Sequence, residues 1–483
     1  MNAARAALTR AAAHWPSTLR MLEELIRIPS VSADPRHATD VRRCAGRLAG
    51  YLRRLGLERV QVVATPGQPL VYGEWCRRSD RPTVLLYGHY DVQPADPLPA
   101  WRSPPFEPTY CGQYVHGRGA SDDKGQVCAH LAAVEAWMRV TGGLPVNVRF
   151  LLDGEEEIGS PHLAGFLEVM REQLASDVVV ISDTRMAGRG RPAVTVGLRG
   201  LLTAELEVGG PRADLHAGTF GGAVHNPAQV LAELVAGLHR PDGRVAIAGF
   251  YDRVRGRSPA ERALLAAAAP PDAAVLRQAG VRRGWGEPGW SLHERTTLRP
   301  AVTVNGVTGG YGGPGSKSVI PARATAKLGI RLVPDQRPGD VEELLRRHLA
   351  RATPPTVYTT LRTGSRVSPA TFAFRPRVMA AVSQACLRGF GARPVQRFSG
   401  GTIPAAGLLQ SRLRTPVVLL GLALPDDGAH APNERFHIPT LWRGIDTLVW
   451  LLAELARIGA GAPARDGGSR RGAELAVLSG DLR

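Results

Sequence analysis

The stretch TVLLYGHYDV, at residues 83–92, joins an apolar run to a polar segment that contains a histidine and an aspartate. An uncharged run of this length, ended by Gly88, is typical of a strand buried on both faces of a sheet. Polar residues that follow such a strand lie at the edge of the sheet, where α/β proteins place their ligand sites. The sequence therefore predicts a buried strand that carries His89 and Asp91 into a candidate site.

The segments around this strand alternate between helical and strand patterns. Residues 41–55 and 127–140 are typical of helices, whereas short apolar runs at residues 146–152 and 178–181 are typical of strands. Strands separated by helices favour a parallel sheet that is covered by helices. We therefore expect an α/β fold with a mostly parallel sheet in residues 1–197.

The pattern changes in the middle of the chain. Residues 201–208 alternate between apolar and polar side chains, which is typical of a half-exposed antiparallel strand. The α/β pattern resumes near residue 375, so one domain is expected to be inserted into another. The predicted organisation is a catalytic domain at 1–197 and 371–458, an inserted α+β domain at 198–370, and a flexible tail at 459–483.

The composition excludes several classes of protein. With 483 residues, 44% of them hydrophobic and 21% charged, the chain can bury a large core and is not wholly disordered. The net charge of +17 raises the possibility of nucleic-acid binding. However, the basic residues are scattered and form no run of five or six, so no nucleic-acid partner is expected.

The cysteines and the apolar stretches bear on location. The chain has five cysteines and no C-x-x-C pair, which argues against a disulfide framework or a zinc knuckle. No apolar stretch reaches the ~20 residues that a membrane span needs, and residues 1–15 are not followed by the apolar core of a signal peptide. We expect a cytoplasmic protein without a membrane partner.

Four further clusters of acids and histidines lie in predicted loops. Each has a simple structural explanation: a helix cap for the aspartates, an acidic surface turn for the three glutamates, and an isolated loop histidine for the last. An apolar strand precedes the glutamates, which argues against a surface turn. The clusters are RGASDDKG at 118–125, DGEEEIGS at 153–160, ISDT at 181–184 and AHAPNE at 429–434.

Together the clusters predict a metal site. Imidazole and carboxylate ligands suit Zn²⁺, and also Mn²⁺ or Co²⁺. A glutamate on a metal with its neighbour as general base would explain the crowded glutamates. His293–Glu294 is set aside, because it lacks the second histidine of the H-E-x-x-H motif. The candidate ligands are His89, Asp122, Glu157, Asp183 and His430.

The motifs GHYDVQP, GRGASDDKG and EEIGS also carry a family resemblance. From about residue 22 to residue 455, the chain resembles the cocatalytic metallopeptidases that include carnosinases, cytosolic dipeptidases, aminoacylases and glutamate carboxypeptidases. The resemblance implies a zinc-exopeptidase-like catalytic domain, an inserted lid or dimerisation domain, two divalent metal ions per chain and a homodimer. It also implies an unusual backbone, a cis peptide bond, between Asp122 and Asp123.

The resemblance assigns a role to each candidate residue. His89 and Asp183 would bind one ion, Glu157 and His430 would bind the other, and Asp122 would bridge them. The motif E-E-x-G-S makes Glu156 the general base and leaves Glu155 outside the pair. The remaining implied roles are Asp91 orienting His89, His216 as a lid histidine that reaches the partner's site, and Arg331, Gly401 and Thr402 as substrate-binding residues.

Within this family the sequence is most similar to the dipeptidases. Aspartate at position 183 and the motif GHYDVQPA favour a hydrolase that cleaves dipeptides or short peptides. The attacking water would bridge two metal ions, and Zn²⁺ is the expected metal. The alternative within the family is an N-acyl-amino-acid amidohydrolase. The alternative from another class is a basic nucleic-acid-binding protein.

Overall fold

The structure is a computed structural model that describes residues 2–266 and 268–459. The predicted tail at 459–483 lies outside the described residues, apart from Gly459. The first helix buries Leu22, Leu25 and Ile26, whose helical spacing puts them on one face. None of the helices in the described part of the chain combines the length and the hydrophobicity that a bilayer span requires.

The elements alternate along the chain much as the sequence predicts. Within the described residues, the strands are β1 (Glu58–Val63), β2 (Leu70–Trp75), β3 (Thr83–His89), β4 (Thr109–Cys111), β5 (Tyr114–His116), β6 (Asn147–Asp153), β7 (Val178–Ile181), β8 (Ala193–Leu198), β9 (Gly200–Gly209), β10 (Leu215–His216), β11 (Ala301–Gly309), β12 (Val319–Ile320), β13 (Arg323–Leu332), β14 (Tyr358–Val367), β15 (Ala370–Thr371), β16 (Val395–Ser399), β17 (Val417–Gly421) and β18 (Arg435–His437).

The α-helices include all those expected from the periodicity. In the same described ranges they are α1 (Asn2–Ile26), α2 (Ala38–Arg54), α3 (Lys124–Thr141), α4 (Leu163–Val169), α5 (Ala217–Phe220), α6 (Pro227–Ala236), α7 (Pro259–Ala266), α8 (Asp272–Ala279), α9 (Leu292–Thr297), α10 (Pro338–Ala352), α11 (Pro376–Phe390), α12 (Pro404–Leu413) and α13 (Ile438–Leu455).

The largest sheet has nine strands in the described part of the chain, in the order β1-β2-β6-β3-β7-β17-β8-β15, with β16 paired to β8. Its centre, β6-β3-β7-β17, is parallel, which confirms the predicted fold class. The flanking pairs β1-β2, β2-β6, β17-β8 and β15-β8 are antiparallel. For β1 and β2 the antiparallel pairing follows from the short link between them, because parallel neighbours need a crossover of a dozen residues or more.

Helices cover both faces of this sheet. Along β3, Val84 and Leu86 pack into one core with α1, α2, α3, α11 and α13. The alternate residues Leu85 and Tyr87 pack into a second core with α4 and α12. Because successive side chains of a strand point to opposite faces, the whole run must be apolar. This burial on both faces explains why residues 84–87 are all apolar.

A second sheet, in the order β11-β13-β9-β14, lies in sequence between the two parts of the first. All its pairings are antiparallel. Alternate residues of β9, including Leu202 and Leu206, are buried beneath α6 and α10 in a core of their own. The half-exposed antiparallel strand predicted at residues 201–208 is therefore confirmed.

Candidate metal centre and active site

The carboxyl ends of the four central parallel strands meet at one edge of the large sheet. Polar residues follow each strand, and the Asp122–Asp123 peptide, which is cis as the resemblance implied, lies beside them at the start of α3. Side chains far apart in sequence thereby come together. The group consists of His89 at the end of β3, Glu156 and Glu157 after β6, Asp183 after β7, His430 after β17, and Asp122.

These side chains form two groups of three potential ligands that share Asp122. In the first group, His89 Nε2 lies 3.1 Å from Asp122 Oδ1 and 3.9 Å from Asp183 Oδ2. In the second, His430 Nε2 lies 3.0 Å from Asp122 Oδ2 and 3.2 Å from Glu157 Oε2. Each oxygen of one carboxylate therefore faces a different group, which is the arrangement that a bridging ligand needs.

The chemistry of this set fits two divalent cations. Each group offers one imidazole and two carboxylates, and three protein ligands leave a coordination position open, as in catalytic zinc sites. Burial and the neighbouring Asp122 carboxylate raise the pKa of Asp183 to about 8. Burial also raises the pKa of Glu156 well above its usual range. Cations relieve this crowding of buried negative charge.

Asp91 is fully buried and supports the site from beneath. Its carboxylate accepts hydrogen bonds from the backbone N–H groups of Glu156 and Glu157, both at 3.1 Å, and from Ser32 Oγ at 2.6 Å. The nearer Asp91 partner of His89 Nδ1 is the backbone oxygen, at 3.0 Å, and the carboxylate lies at 3.4 Å. Asp91 thus contacts the ring predicted for it and also holds the glutamate loop.

The structure separates the three successive glutamates. Glu156 and Glu157 line the cleft at the metal ligands. Glu155 points elsewhere: its carboxylate accepts from Gln68 N at 2.9 Å and lies 2.6 Å from His162 Nδ1. This geometry agrees with the alignment that pairs Glu156 with Glu157.

A cleft of about 790 Å³ extends from the metal ligands toward the second sheet. Arg331, Gly401 and Thr402 line it, and Arg331 Nη1 donates to Thr402 Oγ1 at 2.8 Å. Arg199, which the sequence argument missed, lies beside them. Burial and the charge of Arg331 lower the pKa of Arg199 to about 10, so both side chains remain cationic at neutral pH.

His216 lies apart from the other candidates. It is exposed at the end of β10 and is not among the described residues that line the cleft.

His293, which was set aside because its motif is incomplete, does line the cleft, although it belongs to neither ligand group. Its neighbour Glu294 completes the capping box of α9 and pairs with Arg262.

Glu434 is a further residue that sequence reasoning left without a role. Its buried carboxylate accepts hydrogen bonds from the backbone N–H groups of Gly119, Ser121 and Asp122, at 2.9–3.1 Å. It also pairs with the buried Arg118 guanidinium at 2.8 Å. Glu434 therefore fixes the backbone that presents Asp122. Its place four residues after His430 was the available signal.

Comparison with known proteins identifies close similarities over most of the chain. The model of peptidase family M20/M25/M40 matches residues 85–454. The Cys-Gly metallodipeptidase dug1 of Schizosaccharomyces pombe is 30% identical over 462 residues, which cover 90% of this chain and 95% of that protein.

Two solved structures extend this similarity to the fold. Human carnosine dipeptidase 1 has a TM-score of 0.85 and 29% identity, over 94% of this chain and 99% of that one. The M20 family metallo-carboxypeptidase Sso-CP2 from Sulfolobus solfataricus has a TM-score of 0.83 and 33% identity, over 91% and 99% of the two chains.

Glu434→Gln should weaken metal binding without removing a ligand. The amide places an N–H₂ group where the loop requires an acceptor and leaves the buried Arg118 without its counter-charge. Loss of such a supporting contact typically costs about 10- to 100-fold in metal affinity. Competition with a chromogenic chelator measures the affinity, and circular dichroism verifies the fold.

The matched control is Asp426→Asn, because Asp426 pairs with Arg435 on the surface and an exposed ion pair contributes little. Equal metal affinity in Glu434→Gln and Asp426→Asn would contradict the role given to Glu434.

Proposed function

The chain belongs to peptidase family M20/M25/M40, and from this membership we propose that it is a metal-dependent hydrolase of dipeptides. The observation that carries the proposal is the pair of ligand groups that share Asp122 next to Glu156. A carboxylate between two ligand sets and a second carboxylate free to act as a base are the requirements of metal-assisted hydrolysis.

The chain's own residues divide the work. Glu156 takes a proton from the attacking water and returns it to the leaving amine. Arg331, with Arg199 and Thr402, holds the substrate's terminal carboxylate, because guanidinium groups bind carboxylates through paired hydrogen bonds. Bound divalent ions supply Lewis acidity, which polarises the scissile carbonyl and makes water more acidic.

The proposed metals are two ions per chain, with Zn²⁺ preferred for the mixed imidazole and carboxylate ligands. We also propose a cytoplasmic location. All five cysteines are free in the structure, which suits a reducing compartment.

The test of the function compares three substrates. The chelated protein, reloaded with Zn²⁺, Mn²⁺ or Co²⁺, should hydrolyse Ala-Gln, and elemental analysis should approach two ions per chain. N-acetyl-Ala-Gln and Ala-Ala-Gln should react much more slowly. Preference for the acetylated substrate would indicate a deacylase, and preference for the tripeptide a carboxypeptidase of the kind named for the Sulfolobus relative. Full activity with one tight ion would contradict the dinuclear mechanism.

The three glutamates should respond differently to the same change. Glu156→Gln should lower kcat by about 10²–10⁴, the usual contribution of a general base, and keep both ions. Glu157→Gln should lose metal, because it removes a ligand. Glu155→Gln is the matched control, since its side chain faces Gln68 and His162. If Glu155→Gln abolished turnover while Glu156→Gln did not, the assignment of the pair would be wrong by one residue.

We further propose that residues 198–370 form a lid and dimerisation domain inserted between 1–197 and 371–458, which form the catalytic domain. Its separate antiparallel sheet and separate core support the division. The edge strand β11 exposes Val304 and Val307, and an exposed apolar edge is a common site of pairing between chains. In the homodimer, His216 donates to the oxyanion in the partner's site.

The shared site predicts recovery of activity between two inactive proteins. His216→Ala should lower kcat by roughly the 10²–10³ of a lost oxyanion donor, with the metal content unchanged. A heterodimer of His216→Ala with Glu156→Gln contains one site with an intact base and an intact partner histidine. Activity should therefore return on subunit exchange. No recovery despite exchange verified by mass would exclude a shared site.

A further inference from the structure

Helix α3 begins directly after the Asp122–Asp123 peptide and packs in the main core on one face of the large sheet. Most of its buried side chains are apolar, but Gln126 and His130 are polar and are only 2% and 4% exposed. They are four residues apart, so they lie on one face of the helix. Neither residue has a part in the mechanism derived above.

The side-chain amide of Gln126 joins two segments of the site. Its Nε2 donates to the carbonyl of Ser121 at 2.9 Å, and its Oε1 accepts from the backbone N–H of Leu422 at 2.8 Å. Ser121 directly precedes the shared ligand candidate Asp122. Leu422 is the first residue after β17, on the segment that leads to His430. Gln126 therefore holds the loop of Asp122 and the segment of His430 to the same point of α3.

His130, one helical turn further along, reaches a different strand. Its Nε2 lies 2.9 Å from the hydroxyl of Ser182, which is buried and directly precedes Asp183. Burial lowers the pKa of His130 to about 4, so its ring is neutral at physiological pH and adds no charge to the site. The contact therefore holds the end of β7, from which Asp183 extends, to α3.

Through these two contacts, one rigid helix supports both ligand groups. Asp183 belongs to the first ligand group, His430 belongs to the second, and Asp122 belongs to both. The loops that carry them have little regular structure, whereas α3 is a helix of 18 residues packed in the core. Side chains four residues apart on a helix have Cβ atoms about 5–6 Å apart. Helix geometry thereby sets the spacing of the points to which the two groups are attached.

We propose that His130 and Gln126 are positioning residues for the two ligand groups, His130 acting through Asp183 and Gln126 acting through the segment of His430. The inference rests on the proposed two-metal dipeptidase function. It goes beyond that function because each residue should affect a different ion. Contacts that support metal ligands from outside typically contribute about 10- to 100-fold to metal affinity.

His130→Leu should weaken the ion of the first group about 10- to 100-fold and leave the other nearly unchanged, because it removes the partner of Ser182. His130→Gln should restore most of the affinity, since its amide can reach the same hydroxyl. Titration of the chelated protein with Co²⁺, followed by calorimetry and by visible absorption, measures the two affinities. The ligand variant Asp183→Asn identifies the first-group ion.

Gln126→Met should weaken the other ion by a similar factor. The thioether has nearly the same length as the amide but can hold neither Leu422 N–H nor the carbonyl of Ser121. Glu434 still holds the loop of Asp122 through three backbone N–H groups, so the change chiefly frees the segment of His430. The ligand variant His430→Ala identifies the second-group ion.

Double variants separate positioning from a general loss of stability. His130→Leu should add little to the effect of Asp183→Asn, because both changes act on one ligand, but its effect should add fully to that of His430→Ala. Ser182→Ala removes the same contact from the other side and serves if His130→Leu folds poorly by circular dichroism. The matched control is Cys128→Ala, a buried core residue between the two on α3, which should leave both affinities unchanged.

The outcomes distinguish failure of the positioning role from failure of the function. Equal weakening of both ions by His130→Leu, unchanged affinities, or the same losses in Cys128→Ala would overturn the positioning role and leave the dipeptidase function standing. If the unmodified protein bound two ions with the expected pattern among the variants but cleaved no dipeptide, the positioning role would stand and the proposed function would fail. Binding of a single ion would contradict both.

Discussion

Asp122 presents one carboxylate oxygen to His89 and the other to His430, and the site depends on this division. Hydrogen bonds from the two histidines outweigh the effect of burial and hold the pKa of Asp122 well below its usual range. A side chain that stays ionised in a buried position can serve two cations at once. If either carboxylate oxygen of Asp122 moved, the two ligand groups would no longer share a residue.

The orientation of Asp122 comes from the backbone around it. Two buried carboxylates that are not ligand candidates, Glu434 and Asp91, accept backbone N–H groups from the loops that carry Asp122 and the two glutamates. The ligand loops contain glycines and have little regular structure of their own. Buried acceptors thereby replace the hydrogen bonds that a helix or sheet would provide.

The residues that sequence reasoning identified are those whose chemistry shows in a short motif. His89 ends one apolar strand and Asp183 follows another, and the burial of β3 and β7 on both faces leaves a clear hydrophobic signal in the sequence. The fold class followed from the same signal. The antiparallel strands at the two sides of the large sheet could not be predicted from this signal, because strand order depends on contacts between distant segments. Arg199 was missed for a different reason: 57 of the 60 basic residues are arginine, so no single arginine stands out in the sequence.

The cleft is polarised, and this polarity suits a short zwitterionic substrate. Carboxylates dominate at the metal ligands, whereas Arg199 and Arg331 lie at the end of the cleft next to the second sheet. Divalent ions would offset the negative charge at one end, whereas no described acidic side chain lies within 4.0 Å of the guanidinium groups of Arg199 and Arg331 at the other. An extended dipeptide spans only ~7 Å, so both ends of the cleft can act on one molecule only if the arginines reach toward the metals. The second sheet carries Arg331 on β13, and Arg199 lies on the link into β9, so any movement of that sheet changes this reach. On the proposed dipeptidase function, the position of the second sheet sets how far Arg199 and Arg331 lie from Glu156 and the metal ligands.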